Sequence, residues 1–283
     1  MNGIFLMLCA DLAFALMASA TKALGSHLPA AEIVFVRSLL SLVACYWLLR
    51  SQHIALGGNN PALLWARGIV GFIALQCYFW ALPQLPLGMA VMLNYTAPIF
   101  AVIFSFLLLG ERPPLVVKLC LAVSFGGIYL LSSSSLAGGA APALAAGLTS
   151  GLLAGSVYVM IRHSHKGDDP LLVIFYFVLS ATIGSGALLI KTGWVAPNGR
   201  EWLELLFITA TSFAGQLYLT RSLRKAPVWV VSPFGYLTPV LGYFLGVLLW
   251  KEIPTLRSLV GGAVVITCGV VMLVFFRPSD NAR

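Results

Sequence analysis

The sequence predicts an all-α integral membrane protein with ten transmembrane helices, arranged as two inverted repeats of five helices. Composition is the first reason, because 60% of the residues are hydrophobic and only 9% are charged, whereas soluble domains carry about 25% charged residues. The second reason is two stretches without a charged residue, 68–110 and 119–161. Each is long enough for two spanning helices of about 20 residues and a turn. Strand alternation is absent, which disfavours a membrane barrel.

Proline, glycine and charged residues mark the ends of the predicted helices. Each span must bond its own backbone groups, because the hydrocarbon offers them no other partner. The first five helices are predicted at 3–24, 29–49, 62–82, 87–109 and 115–132. The second five are predicted at 144–163, 169–190, 203–222, 228–250 and 256–276. A linker rich in Ser, Ala and Gly over 132–142 separates the two sets, which gives two repeats, 1–135 and 136–283.

An internal duplication is the third reason for the predicted fold. Residues 95–113 align without a gap with residues 236–254, at an offset of 141 that is half of the 283-residue chain. Because each half has an odd number of helices, the second half must enter the membrane upside down, so the repeat is inverted. Inverted halves that rock about a site at mid-depth are typical of transporters. The matched pairs are Tyr95 with Tyr236, Pro98 with Pro239, Glu111 with Glu252, and Pro113 with Pro254.

The distribution of Lys and Arg predicts the orientation, since these residues accumulate beside cytoplasmic helix ends. Both termini are therefore predicted to be cytoplasmic in a multi-pass protein of the inner (plasma) membrane. The net charge of +8 then reflects topology and contact with anionic lipid headgroups, and no nucleic-acid partner is predicted. Eleven basic residues fall on the cytoplasmic side: Arg50, Arg67, Arg112, Lys118, Arg162, Lys166, Arg221, Arg224, Lys225, Arg277 and Arg283. Six fall outside: Lys22, Arg37, Lys191, Arg200, Lys251 and Arg257.

The two matched segments also resemble a known family. Each carries a proline within its predicted helix and a glutamate at the helix end, in 93–111 and in 233–252. This pattern resembles the EamA domain, the ten-helix branch of the drug/metabolite transporter superfamily, and two copies cover nearly the whole chain. Lys251 departs from the pattern by standing where Gly110 stands in the first copy, and Arg37 fits the family's second helix. The resemblance implies movement of small metabolites through a central cavity lined by helices three, four, eight and nine, and it does not fix the substrate.

Pro98 and Pro239 fall in the middle of the predicted fourth and ninth helices. Each removes a backbone hydrogen bond, so the helix is expected to kink there. The kink is either a hinge beside a cavity or a bend absorbed by packing. Tyr95 and Tyr236 precede the prolines by three residues and share their face, and Tyr243 extends that face in the ninth helix.

Amides and aromatic rings in the third and eighth helices are further candidates for substrate contact. A buried glutamine needs partners, which either a substrate or a neighbouring helix can supply. Nearby rings could stack on a planar or cationic substrate, although Trp and Tyr also serve in interfacial belts and in packing. The predicted substrate-binding residues are Gln76, Tyr78, Trp80, Asn94, Tyr95, Gln216, Tyr218, Tyr236 and Tyr243.

Charges inside a membrane span are candidates for function. Asp11 and Arg37 each lie about eight residues into their helices, at similar depth. They are predicted to form either a structural ion pair or a proton-coupling site. Glu111 and Glu252 end their helices, where the helix dipole disfavours a carboxylate, so a cation or a backbone donor is expected to hold each as a gate or loop anchor. Lys22, in contrast, is predicted to be water-accessible at the outer end of the first hairpin, together with Glu32 and His27.

The preferred function is a secondary active transporter, an exporter or exchanger of small metabolites such as amino acids, amines or planar heterocycles. Protons are the candidate coupling ion, and monomer and homodimer stay open. No cofactor and no metal are predicted, and a Walker-type phosphate loop is absent. One alternative is an integral membrane enzyme, but its expected cluster of His or carboxylate residues at one face is not evident. The other is a non-transporting membrane scaffold, which would not need matched helix-breaking prolines.

Overall fold

The computed structural model describes residues 3–109, 115–137, 140–164, 168–225 and 232–275, and within these ranges it is helical without strands. Four of the described spans are long and apolar enough to cross a membrane, namely α1, α2, α3 with the turn that follows it, and α8. Two 3₁₀ turns lie at Leu82–Gln84 and Ser232–Tyr236. The helices are α1 Gly3–Leu24, α2 Ala30–Ser51, α3 Pro61–Ala81, α4 Leu87–Asn94, α5 Ala97–Leu109, α6 Leu115–Ala137, α7 Ala141–Ser164, α8 Pro170–Thr192, α9 Gly199–Lys225, α10 Leu237–Trp250 and α11 Leu256–Phe275.

The fourth span of the first half is broken, whereas the sequence predicted one kinked helix over 87–109. α4 ends at Asn94 and α5 begins at Ala97. Pro98 has no N–H to bond the carbonyl of Asn94, but in the first turn of a new helix that N–H is not required. Thr96 replaces part of the backbone hydrogen bonding that is lost at the break, because its Oγ1 donates to the carbonyl of Leu93 at 2.6 Å.

The corresponding span of the second half is interrupted in the same way. A 3₁₀ turn at Ser232–Tyr236 leads into α10, and Pro239 lies in the first turn of that helix. The predicted single helix over 228–250 is therefore wrong at this point, and its first residues lie outside the described ranges. Both prolines thus sit at the start of a helix rather than in the middle of one.

The connection between the halves is shorter than the predicted linker over 132–142. α6 continues to Ala137 and α7 begins at Ala141. Alanine and leucine favour helix strongly, and serine is tolerated because its hydroxyl can bond a carbonyl one turn earlier. Composition alone therefore overstated the length of the linker.

Every major helix pair joins one half of the chain to the other. α1 packs on α9 and α7 packs on α3, so the first helix of each half contacts the third helix of the other half. α2 packs on α8, α4 on α10 and α6 on α11. The interior of the molecule therefore lies between the halves.

Contacts between loops define two ends of the helix bundle. The N–H of Asn59 donates to Asp168 Oδ1 at 2.6 Å, which joins the α2–α3 loop to the α7–α8 loop at what we call the Asp168 end. Glu252 lies 2.6 Å from Lys22 at the end of α1, and it accepts from the N–H of Leu87 at 2.7 Å. The α1–α2, α3–α4 and α10–α11 loops therefore meet at the opposite end, here called the Glu252 end.

Helix α7 packs closely against the break between α4 and α5. Gly147, Gly151 and Gly155 repeat every four residues, a spacing that predicts a groove for a neighbouring helix. A Cβ on Gly151 would lie 2.5 Å from the carbonyl oxygen of Leu93 and 3.3 Å from that of Asn94. Backbone oxygens at the break therefore occupy the space that a side chain would need, and the packing role predicted for these glycines is confirmed.

Substituting Gly151→Ala is expected to lower the stability of the folded protein, because the backbone of α4 cannot move away cheaply. Overpacking of this kind costs about 1–3 kcal/mol, which a lower midpoint of thermal unfolding in detergent would record. Gly126→Ala on the exposed face of α6 is the matched control, since no atom lies within 4 Å of its new Cβ. Equal midpoints for the two variants would contradict the close approach of α7 to the break.

Candidate functional site

A cavity of about 200 Å³ lies between the two halves, beside the break between α4 and α5 and the start of α10. Residues of α1, α2, α3, α7, α8 and α9 also line it. Polar groups from both halves face it. Among the described residues no three His, Cys, Asp or Glu side chains are placed to hold a metal ion. The apolar wall includes Phe14, Met17, Leu75, Val157, Phe177 and Leu219.

Arg37 reaches the cavity from α2 and is fully buried. Its Nε donates to Ser212 Oγ on α9 at 2.6 Å. Its guanidinium carbon lies 5.6 Å from the ring centre of Phe79 and 5.9 Å from that of Phe177, within the range of cation–π attraction. Its Nη1 is buried without a hydrogen-bond partner among the described residues. One buried donor of this cation is therefore available.

Arg67 lines the same cavity, although the sequence interpretation counted it among the charges at the cytoplasmic face. It lies in the second turn of α3 with only 9% of its surface exposed. Its Nη1 donates to the carbonyl of Val173 at 3.0 Å, and its guanidinium carbon lies 4.9 Å from the ring centre of Phe177. Its Nε has no partner in the described part of the chain. Its position inside a predicted span was a signal of function that the sequence interpretation missed.

Asp11 and Arg37 do not form the ion pair that the sequence suggested. Asp11 Oδ1 accepts a hydrogen bond from Thr238 Oγ1 at 2.9 Å, and that hydroxyl accepts in turn from Tyr95 at 2.9 Å. Asp11 Oδ2 is buried, and no described residue bonds it. The two charges bond different neighbours, since the position of a residue along its helix does not fix the direction of its side chain around the helix axis. Asp11 is thus linked to both breaks, through Thr238 at the start of α10 and through Tyr95 between α4 and α5.

Four of the predicted substrate-binding residues line the cavity together. Tyr78 comes from α3, Asn94 and Tyr95 from the end of α4, and Gln216 from α9. Asn94 also donates from Nδ2 to Ser150 Oγ on α7 at 3.1 Å. Their assembly around one space gives these residues a common environment, while their contact with a substrate stays a prediction.

Three other predicted residues point away from the cavity. Trp80 is 42% exposed on the outer surface of α3. Gln76 and Tyr218 do not line the cavity, and Gln76 Oε1 is buried without a partner in the described ranges. At about 100° per residue, positions two apart fall on nearly opposite sides of a helix. The side of α3 that carries Tyr78 therefore excludes Gln76 and Trp80.

Tyr236 and Tyr243 also lie outside the cavity. Tyr236 is buried against α11, where its phenol occupies the space beside Gly269. Tyr243 packs its ring on Gly88 and faces a second pocket of about 170 Å³ at the Glu252 end. Tyr236 lies in the 3₁₀ turn and Tyr243 in α10, so the two do not share the face of one regular helix as predicted, and neither lines the central cavity.

The carboxylate of Glu252 connects three elements at the end of the bundle that carries its name. Oε1 lies 2.6 Å from Lys22 Nζ, and Oε2 accepts from the N–H of Leu87 at the start of α4. Lys22 also donates to the carbonyl of Leu85, and its ammonium lies 5.7 Å from the ring centre of Trp250. The sequence predicted a cation or a backbone donor for Glu252, and the structure has both. These contacts tie α1, α4 and the end of α10 together.

Two charges assigned to water-accessible positions are buried at this end. Lys22 is 7% exposed, and Glu32 is fully buried, with its Oε2 accepting from the N–H of Val195 at 3.0 Å. The prediction of water access was wrong for these two residues, because the α8–α9 and α10–α11 loops cover them, whereas His27 is exposed as predicted. Glu111, the counterpart of Glu252, lies outside the described residues.

Comparison with known proteins identifies the family. The sequence profile of the EamA-like transporter family matches residues 1–133 and 141–275. The chain belongs to the EamA-like transporter family. The pseudopaline exporter CntI of Pseudomonas aeruginosa is 32% identical to this EamA-family protein, over 96% of this chain and 95% of that one. The riboflavin transporter of Vibrio cholerae is 24% identical, over 94% and 91% of the two chains.

A solved crystal structure has the same fold as the EamA-family protein, with a TM-score of 0.65 at 20% sequence identity over 96% of both chains. Family and fold agree with the apolar helices described above, and the resemblance noted from the sequence is confirmed. This EamA-family protein is a multi-pass membrane transporter, and its relatives imply a small-molecule substrate.

Proposed function

We propose that this protein is a secondary active transporter that binds a small metabolite in the central cavity and alternates access by rocking two inverted halves. The observation that carries the proposal is the position of the cavity. It lies between the halves, beside the starts of α5 and α10, and Lys22 and Glu252 join the helices at one end of the bundle. A site of this kind can be exposed to one side at a time.

The helix pairing supports the inverted repeat and the division into 1–135 and 136–283. Exchanging the first and second halves maps the pair α1 and α9 onto the pair α7 and α3, and the pair α5 and α7 onto the pair α10 and α1. It maps the pairs α2–α8 and α6–α11 onto themselves. With five spans in each half, this exchange requires an axis in the membrane plane. In the inner membrane, with both termini cytoplasmic as the basic residues suggest, the Asp168 end faces the cytoplasm.

The two breaks are the proposed hinges of the rocking motion. Pro98 and Pro239 prevent each fourth span from closing into one continuous helix. The hydrogen bond from Tyr95 to Thr238 joins the two breaks, and Asp11 bonds the same threonine. A proton on Asp11 would change the hydrogen bonding at both breaks, which supports protons as the coupling ion.

Export or exchange is the proposed direction, and the name of the pseudopaline exporter favours it. Amino acids, amines and planar heterocycles are the substrate classes that the mixed wall of tyrosine, amide and apolar side chains suggested. Two arginines, Arg37 and Arg67, also line this wall.

Filling the cavity tests the proposal. We expect purified protein in proteoliposomes to take up members of a metabolite mixture in a saturable manner, identified by mass spectrometry with and without a pH gradient. Ala154→Trp, which places a bulky ring on the cavity wall, is expected to abolish this uptake. Ala145→Trp on the exposed face of the same helix should transport as the wild type does. No saturable uptake of any compound, or equal uptake by both variants, would refute transport through this cavity.

A further inference from the structure

Two buried arginines face the central cavity without a carboxylate to balance them. Arg37 and Arg67 both line it, and among the described residues no Asp or Glu side chain does. Asp11 accepts a hydrogen bond from Thr238 and makes no ion pair with either arginine. Guanidinium groups stay charged at any physiological pH. The cavity therefore carries two positive charges in a largely apolar wall.

The contacts of the two arginines are typical of a ligand-binding site, whereas a purely structural network would bond all of their buried donors. Both guanidinium groups lie against the ring of Phe177, at 5.9 and 4.9 Å from its centre, so one ring holds them on the same part of the wall. Within the described part of the chain each makes a single hydrogen bond, Arg37 to Ser212 and Arg67 to the carbonyl of Val173. Each also keeps a buried N–H group that no described residue bonds. Unpaired buried donors of a cation are costly, and a ligand oxygen would satisfy them.

We infer that the substrate carries an anionic oxygen group, a carboxylate or a phosphate, that binds between Arg37 and Arg67. Planar guanidinium groups bind such oxygens through paired hydrogen bonds. The rest of the substrate lies along the apolar wall formed by Phe14, Leu75 and Val157, with Gln216 available to a polar substituent. A cationic amine without an acid group is disfavoured, since it would meet two like charges in a medium of low dielectric.

This inference rests on the proposed function, and a matched set of compounds tests the two separately. Proteoliposomes are given a defined mixture in which each carbon skeleton is present as the carboxylate, the phosphate monoester, the neutral amide and the amine. We expect one or both acids to be taken up at least about tenfold faster than the amide of the same skeleton, the effect of one charge-assisted hydrogen bond. The amine should be taken up least.

Substitutions of the two arginines test whether the preference for acids over amides arises at Arg37 and Arg67. Arg37→Gln and Arg67→Gln are each expected to reduce the ratio of acid to amide uptake about tenfold or more, whereas Arg37→Lys and Arg67→Lys keep the charge and part of the ratio. Arg50→Gln is the matched control, because Arg50 also lies over an aromatic ring, that of Tyr46, but is exposed far from the cavity. If a glutamine variant does not fold, as judged by size-exclusion chromatography, the ratio of acid to amide uptake is measured with the lysine variant at that position instead.

The possible results distinguish a failure of this inference from a failure of the proposed function. Faster uptake of amides or amines than of acids, or an acid preference that survives both arginine substitutions, would overturn the inference and leave transport standing. No uptake of any compound would refute the proposed function as well. An acid preference that is lost at Arg37 and Arg67 and kept in the Arg50 variant supports the site.

Discussion

Glu252→Gln is expected to lower the stability of this transporter markedly, because it removes the negative charge that faces a buried lysine. Lys22 is 7% exposed and Glu252 22% exposed, and their charged atoms lie 2.6 Å apart. Removing one partner of a buried ion pair costs about 3–5 kcal/mol, since the remaining charge stays buried. The glutamine still offers an oxygen to the N–H of Leu87 at the start of α4. The loss of stability is therefore caused by the missing charge and not by a missing hydrogen bond to α4. The midpoint of thermal unfolding of the purified protein measures it.

A double variant and a surface pair control this experiment. Lys22→Met combined with Glu252→Gln removes both charges, and we expect it to recover much of the stability lost in either single variant. Glu204→Gln breaks the exposed pair with Arg200, whose atoms lie 3.1 Å apart, and it should change the midpoint little. If Glu252→Gln had no larger effect than Glu204→Gln, the Lys22–Glu252 pair would not close the Glu252 end of the bundle.

The sequence predicted the helices well because membrane spans are specified by composition along the chain. The first helix was predicted at 3–24 and is Gly3–Leu24, and α8 was predicted at 169–190 and is Pro170–Thr192. Charges and prolines cannot be placed freely in hydrocarbon, so they mark the ends of spans. The break at Tyr95 was only half predicted, because a proline shows that a helix is disturbed and not on which side it stops.

The candidate site was predicted less completely, because its composition depends on how each helix is rotated about its axis. Tyr78 faces the cavity and Trp80 faces outward, although the two are neighbours in sequence and equally aromatic. Without periodic polar positions, an apolar helix carries little information on which side faces inward. Arg67 was the avoidable omission, since an arginine inside a predicted span needs a polar neighbour wherever the helix is turned.

Asp11→Asn is expected to abolish the stimulation of transport by a pH gradient while leaving exchange of substrate across the membrane. Asparagine has nearly the same shape and keeps an oxygen that can accept from Thr238, so the link from α1 to Thr238 and Tyr95 is preserved. It cannot take up or release a proton. In the wild-type protein, protonation of Asp11 would remove its negative charge and weaken the hydrogen bond that it accepts from Thr238, which would loosen the connection between the two breaks, and release of the proton would restore that connection. Coupling by this route requires the ionisable carboxyl group of Asp11, and a side chain of the same shape is not sufficient.

Two assays on the same proteoliposomes distinguish coupling from simple loss of activity. Accumulation driven by a pH gradient should fall to the level without a gradient in Asp11→Asn, and counterflow of labelled substrate at equal pH should continue. Glu32→Gln provides the matched control, because Glu32 is an equally buried carboxylate that bonds the N–H of Val195 at the Glu252 end and does not line the cavity. That variant should keep its response to the gradient. Full stimulation in Asp11→Asn would place the coupling group elsewhere, whereas loss of counterflow together with accumulation would mean that Asp11 supports the architecture of the two breaks rather than the passage of a proton.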